Sequence, residues 1–374
     1  MKDCLGTQAL EPSLIGRMKV NSWVKPMDPT SRGPENETAK PPRLSGRQDS
    51  YDLVKGFLVE VMIIYHSVAY FGGSEEFLKY IDFVTGAFVF LSGSTVTHYY
   101  LKEYRERMSL MLQRLLIRST KLIILFTIIN TCVHLVVKKN YNGVNLGIQY
   151  FYSNLYEVFI LGSRRIAAFE ILLPIAYTLA AGGILVLLVR SKVLLATVVC
   201  VVFALSFYIE FYIVDLPFNL EFLNVGLGGV IYGCFRQESL HENARRLLAL
   251  LTGVTVAAYM TTVTVIDRDN LMIYFVGVAS VVQAISMVAE KRIYVNCFAP
   301  ALKLFGRYSL FSYLLQILLL QCLFRLIGRE ASGVVSITGA ILITNVFLYF
   351  IVRGISLLRG RHQLVRVAYQ IAFA

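Results

Sequence analysis

Residues 47–66 place ionisable side chains at the start of an apolar run. Asp52, Lys55, Glu60 and His66 lie in or at the edge of this run. Such groups are costly in hydrocarbon unless they face a protein interior or a wet cavity, so they are functional candidates. Lys55 and His66 are eleven residues apart, which puts them on one helix face about 16 Å apart along the axis. The pattern predicts that this face of the first membrane helix forms the wall of a polar site, while Glu60 meets another helix.

The composition of the chain predicts an all-α, polytopic helical membrane protein. Hydrophobic residues make up 56% of the chain and charged residues 16%, whereas a soluble domain has about 25% charged residues. Apolar runs long enough to cross a bilayer recur from residue 53 to residue 352. No alternating pattern of about ten residues is present, which argues against an outer-membrane barrel.

The hydropathy pattern divides the chain into three regions and predicts about ten transmembrane helices. Residues 1–50, with six of the nine prolines, are polar and predicted to be a disordered cytoplasmic tail. Residues 51–353 form the transmembrane domain, and 354–374 a short basic cytoplasmic tail. The predicted spans are 53–71, 80–100, 116–137, 166–189, 193–213, 219–235, 247–265, 271–289, 308–327 and 332–352. The glycine-rich 219–235 is predicted to be either a close-packed helix or a re-entrant element, and 147–159 an interfacial helix.

The distribution of lysine and arginine predicts that both termini are cytoplasmic. The connections on the side of the N-terminus, together with the tail from residue 353, hold 18 basic residues, whereas the opposite connections hold 7. Cytoplasmic loops carry the excess of lysine and arginine. We therefore expect a multi-pass protein of an inner or plasma membrane.

The net charge, the cysteine spacing and the absence of several sequence motifs argue against some classes of function. The net charge of +12 comes from basic residues scattered over loops, so it does not predict binding of nucleic acid. The six cysteines are widely spaced and lack zinc-ligand spacing, so we expect no metal site. No nucleotide-binding loop, dinucleotide fingerprint or hydrolase elbow is present, and no permanently bound cofactor is expected.

The opening residues also form a pattern with a known counterpart. Arg47 is followed by Asp52-Leu-Val, then Lys55-Gly56 and, eleven residues after the lysine, His66. Many integral-membrane acyltransferases begin with an arginine, an aspartate, Leu-Arg-Gly and a histidine in this order.

Three later segments extend the resemblance. The second span ends in a segment, 86–93, that is similar to the Phe-Phe-x-x-Ser-Gly element of those proteins. A basic stretch with Arg114 and Arg118 leads into the third span, and 306–316 resembles a Gly-x-x-Ser-x-x-x-Tyr-x-x-His segment. Over about 300 residues the chain resembles the acyltransferase-3 superfamily, and most closely its glucan succinyltransferase and heparan-α-glucosaminide N-acetyltransferase-like branches.

The resemblance implies a membrane-embedded acyltransferase acting on a hydroxyl or amine of a glycan or glycolipid acceptor. Arg114 and Arg118 would bind the cytoplasmic donor, an acyl-CoA, as co-substrate. His66 would act as general base or transiently carry the acyl group. Lys55 and Asp52 would organise the cytoplasmic mouth of the same helix.

Two departures from the family pattern leave other interpretations open. Lys55 replaces an arginine and so lacks the planar fork that grips phosphate, and Gln316 replaces the late histidine. Lys55 could instead snorkel and pair with Asp52, and His66 could serve only as a helix–helix hydrogen-bonding group. A transporter or flippase for a polar or glycolipid substrate explains the charges equally well, although no inverted repeat is evident. A structural or regulatory membrane subunit would also fit the two departures.

Overall fold

The fold is all-α and is described here from a computed structural model. The structure describes residues 49–136, 139–141, 144–162, 169–189, 191–212, 216–236, 242–265, 271–290, 298–328 and 333–373. Residues 1–48 of the predicted N-terminal tail lie outside these residues, and its last two residues begin the first helix. Within them, nine helices have the length and composition needed to cross a membrane, and Leu172–Leu188 is a shorter apolar helix. The predicted fold class is confirmed.

The described elements are numbered in the order in which they occur along the chain. The α-helices are α1 (Asp49–Tyr70), α2 (Glu75–Ile81), α3 (Phe83–Thr95), α4 (Leu101–Glu103), α5 (Met108–Val136), α6 (Ile148–Ser153), α7 (Leu172–Leu188), α8 (Lys192–Tyr212), α9 (Phe218–Phe235), α10 (Glu242–Val265), α11 (Leu271–Glu290), α12 (Ala299–Arg307), α13 (Ser309–Ile327), α14 (Val334–Arg361) and α15 (Gln363–Phe373). Two π-helical segments, Val96–Tyr100 and Glu157–Leu161, and a short antiparallel hairpin, β1 (Lys139–Tyr141) with β2 (Val144–Leu146), complete the described elements.

Helix α1 is packed between other helices and anchored to α12 by charge and by close backbone contact. Lys303 donates to Asp49 at 2.6 Å, and Arg307 lies 4.0 Å from the buried Asp52 carboxylate. A Cβ added to Gly56 would lie 1.9 Å from the Leu302 carbonyl oxygen. The residue type at position 56 therefore permits the two backbones to touch, and the ion pairs hold the start of α1 in that contact.

Helices α3 and α9 meet along a glycine seam formed by Gly93, Gly226, Gly229 and Gly233. A Cβ at Gly93 would lie 1.9 Å from the Gly226 carbonyl oxygen. A Cβ at Gly229 would lie 2.0 Å from the carbonyl oxygen of Phe90. Small residues let the backbones of membrane helices approach this closely. Such close packing drives association in the membrane, since lipid supplies no hydrophobic driving force for it. The segment 219–235 is thus the close-packed helix of the two predicted alternatives.

The outer surface and the C-terminal segment complete the fold. Helices α8, α10 and α14 expose large apolar side chains, as expected for surfaces in contact with lipid. Helix α14 continues to Arg361, beyond the predicted end of its span at 352. Residues Gln363–Phe373 of the predicted tail then form α15, where Tyr369 packs edge-on against Tyr308 at 5.2 Å. Lys121 also donates to the Gln370 carbonyl at 2.8 Å.

Candidate functional site: a basic cavity and a buried histidine

A cavity of about 1170 Å³ lies at one end of the bundle. Helices α4, α7 and α9 end there, and α5 and α8 begin there. We call it the basic cavity, after four cationic side chains in its lining: Lys102, Arg105, Lys192 and Arg236. Among the described residues of this lining Glu106 is the acidic one, so the formal charge of these five side chains is positive. A concave site of this charge suits a polyanionic ligand.

A histidine that is buried overall forms part of the cavity wall. His98 lies in the π-helical segment Val96–Tyr100, a type of helix distortion that is frequent at functional sites. Its ring stacks on Tyr51 with centroids 5.4 Å apart, and the Arg236 guanidinium lies 4.8 Å from the same tyrosine ring. Tyr51 also hydrogen-bonds Ser94 at 2.8 Å. The first turn of α1 thereby reaches the wall of the basic cavity.

The glycine seam fixes the cavity walls that α3 and α9 supply. Thr97 donates a hydrogen bond of 2.7 Å to the Val230 carbonyl across the seam. Gly233 and Cys234, one turn farther along α9, line the cavity, and Lys192 donates to the Cys234 carbonyl at 3.4 Å. The backbone contact between α3 and α9 therefore determines where the end of α9 lies. Lys192, at the start of α8, is held at this end by its hydrogen bond to Cys234.

The predicted donor-binding arginines lie beside the basic cavity and not in its lining. Arg114 and Arg118 are exposed on α5, where they donate to the hydroxyls of Tyr104 and Tyr100. Their guanidinium carbons lie 4.9 Å and 5.6 Å from the centres of these rings. Burial raises the pKa of the Tyr104 phenol, and the Glu103 carboxylate raises it further, so the hydroxyl that accepts from Arg114 stays protonated at neutral pH.

The predicted site residues of α1 lie at two levels along the helix axis. Asp52 faces Arg307 of α12, as described above, and Lys55 is half-buried one turn later. Glu60 hydrogen-bonds Asn345 of α14, which confirms that it meets another helix. His66 is fifteen residues beyond Tyr51, about 22 Å farther along the axis. The structure therefore brings Asp52 and Lys55 toward the level of the basic cavity and places His66 near the opposite end.

His66 has a ring nitrogen in an unusual environment. Its Nε2 atom is buried without a hydrogen-bonding partner, although the residue as a whole is only half-buried. The ring lies 5.4 Å from Tyr65 and 6.2 Å from Tyr70. His134, by contrast, is buried against Phe151 at 5.3 Å. His66 thus offers an unpartnered nitrogen to an incoming polar group.

The assembly of the cavity cannot be read from the sequence. Lys192 and Arg236 contribute there only to the charge asymmetry between the two sides, and none of the motifs includes His98. The available signal was that each lies at the end of an apolar run on the same predicted side of the membrane. Which of the many basic residues on that side converge depends on the glycine seam. Among the described residues, no group of three or more histidine, cysteine, aspartate or glutamate side chains could hold a metal ion.

Comparison of the chain with family models, curated proteins and solved structures finds no match. The functional interpretation therefore depends on the residues themselves.

Proposed function

We propose that this protein is a membrane-embedded acyltransferase that moves an acyl group from acyl-CoA to a hydroxyl or amine of a glycan or glycolipid acceptor. The observation that carries the proposal is the basic cavity, which joins four cationic side chains to a histidine on one wall. The order of the acyltransferase-like motifs along the chain supports it independently.

The charge of the basic cavity matches the head of the proposed donor. Coenzyme A carries a phosphorylated nucleotide and a diphosphate, and lysine and arginine bind such groups through charge-assisted hydrogen bonds. Lys102 and Arg105 lie in one connection, Lys192 begins α8 and Arg236 follows α9, so these side chains can reach an extended anion from three parts of the chain. In this proposal Arg114 and Arg118 flank the donor site and do not form its floor.

Two histidines are available to accept the proton of the acceptor nucleophile. His66 is the one that the family pattern indicates, and its unpartnered Nε2 suits a general base. His98 lies in the lining of the donor cavity itself. Because the two lie near opposite ends of α1, the proposal requires the thioester to reach from the cavity into the bundle toward His66. Transfer that survives His66→Gln and is lost in His98→Gln would assign the base to His98.

The same proposal fixes the orientation in the membrane. With the basic cavity facing the cytoplasm, both termini are cytoplasmic, in agreement with the 18-to-7 distribution of basic residues. A cytoplasmic supply of acyl-CoA then reaches the cavity directly. The membrane is an inner or plasma membrane.

Thiol release from radiolabelled acetyl-CoA by the purified protein tests the proposal. With a glycan acceptor present, we expect release of free coenzyme A and transfer of label to the acceptor. The double variant Arg105→Gln/Lys192→Gln should raise the KM for the donor about tenfold, since each substitution removes a partly screened charge. Arg361→Gln, an exposed arginine at the end of α14 and outside the cavity lining, is the matched control and should leave the donor KM unchanged.

A second double variant, Arg114→Gln/Arg118→Gln, locates the donor site. A larger rise in donor KM here than in the cavity variant would move the site onto the outer face of α5. Unchanged donor kinetics in both double variants would remove the reason for placing an acyl-CoA at this end of the bundle.

A transporter or flippase is the second candidate. Buried polar atoms without partners on α1, α13 and α14 favour it, because a polar path through hydrocarbon needs such groups. The two functions differ in covalent chemistry. Movement of a glycolipid across the bilayer without thiol release would establish the transporter and exclude the acyltransferase.

A further inference from the structure

Three helices enclose a polar layer between two apolar clusters. The layer consists of Ser67 on α1, Gln316 on α13 and Thr344 on α14. On one side α1 and α14 contribute Ile63 and Leu348 to an apolar cluster, and on the other side all three helices share a second cluster formed by Phe71, Leu320 and Ala340.

Helical spacing places the three polar residues at the same depth. Ser67 is four residues from both Ile63 and Phe71, and Thr344 is four residues from both Ala340 and Leu348. Gln316 is four residues before Leu320. Because residues four apart lie on one helix face, each polar side chain continues the face that carries the apolar contacts.

The layer is buried and its polar atoms lack partners. Ser67 and Gln316 are 0% exposed and Thr344 is 1% exposed. The Ser67 and Thr344 hydroxyls and both the nitrogen and the oxygen of the Gln316 amide have no hydrogen-bonding partner. Buried polar groups are nearly always paired, and leaving them unpaired is destabilising. Four such atoms at one level therefore point to a group that binds there.

Half-buried aromatic and polar residues of α1 and α13 lie beside the layer. Gln321, one turn beyond Ile317, donates to the Tyr70 hydroxyl at 3.2 Å, and Tyr70 lies 5.8 Å from the ring of Phe324. His66, one turn before Tyr70, is half-buried like Tyr70, Gln321 and Phe324. Since α1 and α13 run in the same direction, the contact between Tyr70 and Gln321 sets His66 level with the turn that carries Gln316. Aromatic rings with a few placed polar groups are typical of small-ligand sites.

The polar layer itself carries no charge. Hydroxyl and amide groups make up the layer, and they do not ionise at neutral pH. Phe169 packs edge-on against Tyr313, three residues before Gln316, with ring centroids 6.0 Å apart. Phe169 has a left-handed backbone (φ 58°) that bulky residues rarely adopt, a kind of outlier that clusters at functional sites. Uncharged hydroxyl and amide groups suit a neutral ligand, in contrast to the cationic side chains of the basic cavity at the other end of α1.

We propose that the polar layer binds a hydroxyl of a neutral sugar whose ring lies against Tyr70 and Phe324, and that the bound sugar is the acceptor. This assignment rests on the proposed acyltransferase function. The Gln316 amide donates to and accepts from the sugar hydroxyls, while Ser67 and Thr344 complete the contacts. A neighbouring hydroxyl then faces Nε2 of His66. The residue that replaces the family histidine becomes a specificity-determining residue for the acceptor.

Direct binding of a sugar tests the assignment without requiring catalysis. The probe is methyl glucoside, measured by the rise in melting temperature of the protein in a detergent without a sugar headgroup. Glucuronate is the anionic comparison. We expect methyl glucoside to raise the melting temperature and glucuronate to have no effect. The variants Gln316→Leu and Thr344→Val should each weaken binding of the glucoside at least tenfold.

A matched threonine on the same helix controls for nonspecific effects. Thr338 is exposed and its hydroxyl donates to the Val334 carbonyl, so Thr338→Val should bind the probe like the parent protein. Gln316→Leu removes two unpartnered atoms from the interior and should melt higher than the parent in the absence of sugar. If Gln316→Leu does not fold, the nearly isosteric Thr344→Val carries the test.

The outcomes separate this inference from the proposed function. Sugar binding that depends on Gln316 or Thr344, without thiol release from acyl-CoA, would preserve the sugar site and overturn the acyltransferase. Acyl transfer with an unchanged acceptor KM in Gln316→Leu and Thr344→Val would do the reverse. Equal binding of glucuronate, or the absence of any glucoside effect on the parent protein, would overturn the sugar site.

Discussion

Substitution of Gly229 by alanine tests whether close backbone contact between α3 and α9 holds the basic cavity together. An added Cβ would lie 2.0 Å from the Phe90 carbonyl oxygen, a distance below 3.0 Å that real Cβ atoms essentially never show. The contacting atom belongs to the backbone, so no side-chain rotation can relieve the overlap. The two helices must separate by about 1 Å or more to restore ordinary contact.

The magnitude follows from two opposing effects. Overpacking of a well-packed interior costs about 1–3 kcal/mol, and replacing glycine by alanine inside a helix returns up to about 1 kcal/mol through propensity. We therefore expect a net destabilisation of about 0–2 kcal/mol. The overlap is with backbone, which places the effect in the upper part of that range.

The assay compares Gly229→Ala with Gly339→Ala by thermal denaturation in detergent. Gly339 lies inside α14, and a Cβ there would meet nothing within 4 Å, so its substitution should be neutral or slightly stabilising. In the same samples, Gly229→Ala should weaken coenzyme A binding because α9 carries Cys234 and Arg236 to the cavity. Equal melting temperatures for the two variants would refute the close contact between α3 and α9.

Three further expectations concern topology and the first helix. A reporter fused after Ala374 should be cytoplasmic, because the charge asymmetry orients the bundle; an external reporter would mean that a span has been miscounted. Lys55→Arg should keep transfer activity and Lys55→Ala should abolish it, measured as thiol release from acetyl-CoA; full activity in Lys55→Ala would reduce this lysine to a snorkelling side chain. His66→Gln retains hydrogen bonding but cannot shuttle a proton, so turnover should fall about 10²–10⁴-fold with normal insertion; wild-type turnover would make this histidine structural.

Because hydropathy reports directly on lipid, nine of the ten predicted spans coincide with a described helix long enough to cross a membrane, and the predicted span 166–189 coincides with the shorter Leu172–Leu188. The predicted span 219–235 agrees with α9 at Phe218–Phe235 to within one residue. Other boundaries were less accurate, since a helix can continue past the bilayer. The span predicted over 80–100 lies in a helical segment that runs from Glu75 to Glu103, and α14 continues to Arg361. Hydropathy indicates which residues lie in hydrocarbon. It does not indicate where a helix ends, because backbone hydrogen bonding can continue beyond the bilayer.

Pairings between helices could not be read from spacing along the chain. Asp52 was expected to pair with Lys55 if the lysine only snorkelled, yet the structure also sets Arg307 of α12 against its carboxylate. The α12 helix lies in a segment that hydropathy assigned to a loop. The prediction that Glu60 meets another helix is confirmed by its hydrogen bond to Asn345. This prediction needed only the angular position of Glu60 on α1, which follows from helical periodicity.

The candidate sites depend on tertiary packing to different degrees. His66 and Gln316 were singled out by motif resemblance, but the match in depth between Ser67, Gln316 and Thr344 appears only when three helices are in register. The basic cavity likewise needs the glycine seam to bring α8 and α9 beside His98. The sequence identifies the residue types in both sites. Which of these residues meet depends on how closely the helix backbones approach one another.

The most direct measurement of the central claim is acyl transfer by protein reconstituted with one orientation in liposomes. Radiolabelled acetyl-CoA is supplied either on the side of the C-terminus or on the opposite side, with a neutral glycan acceptor present on both. We expect thiol release and labelled acceptor only when the donor is on the side of the C-terminus, where the basic cavity opens. Absence of thiol release from either side, with label found in no acceptor, would contradict the assignment of this protein as an acyltransferase.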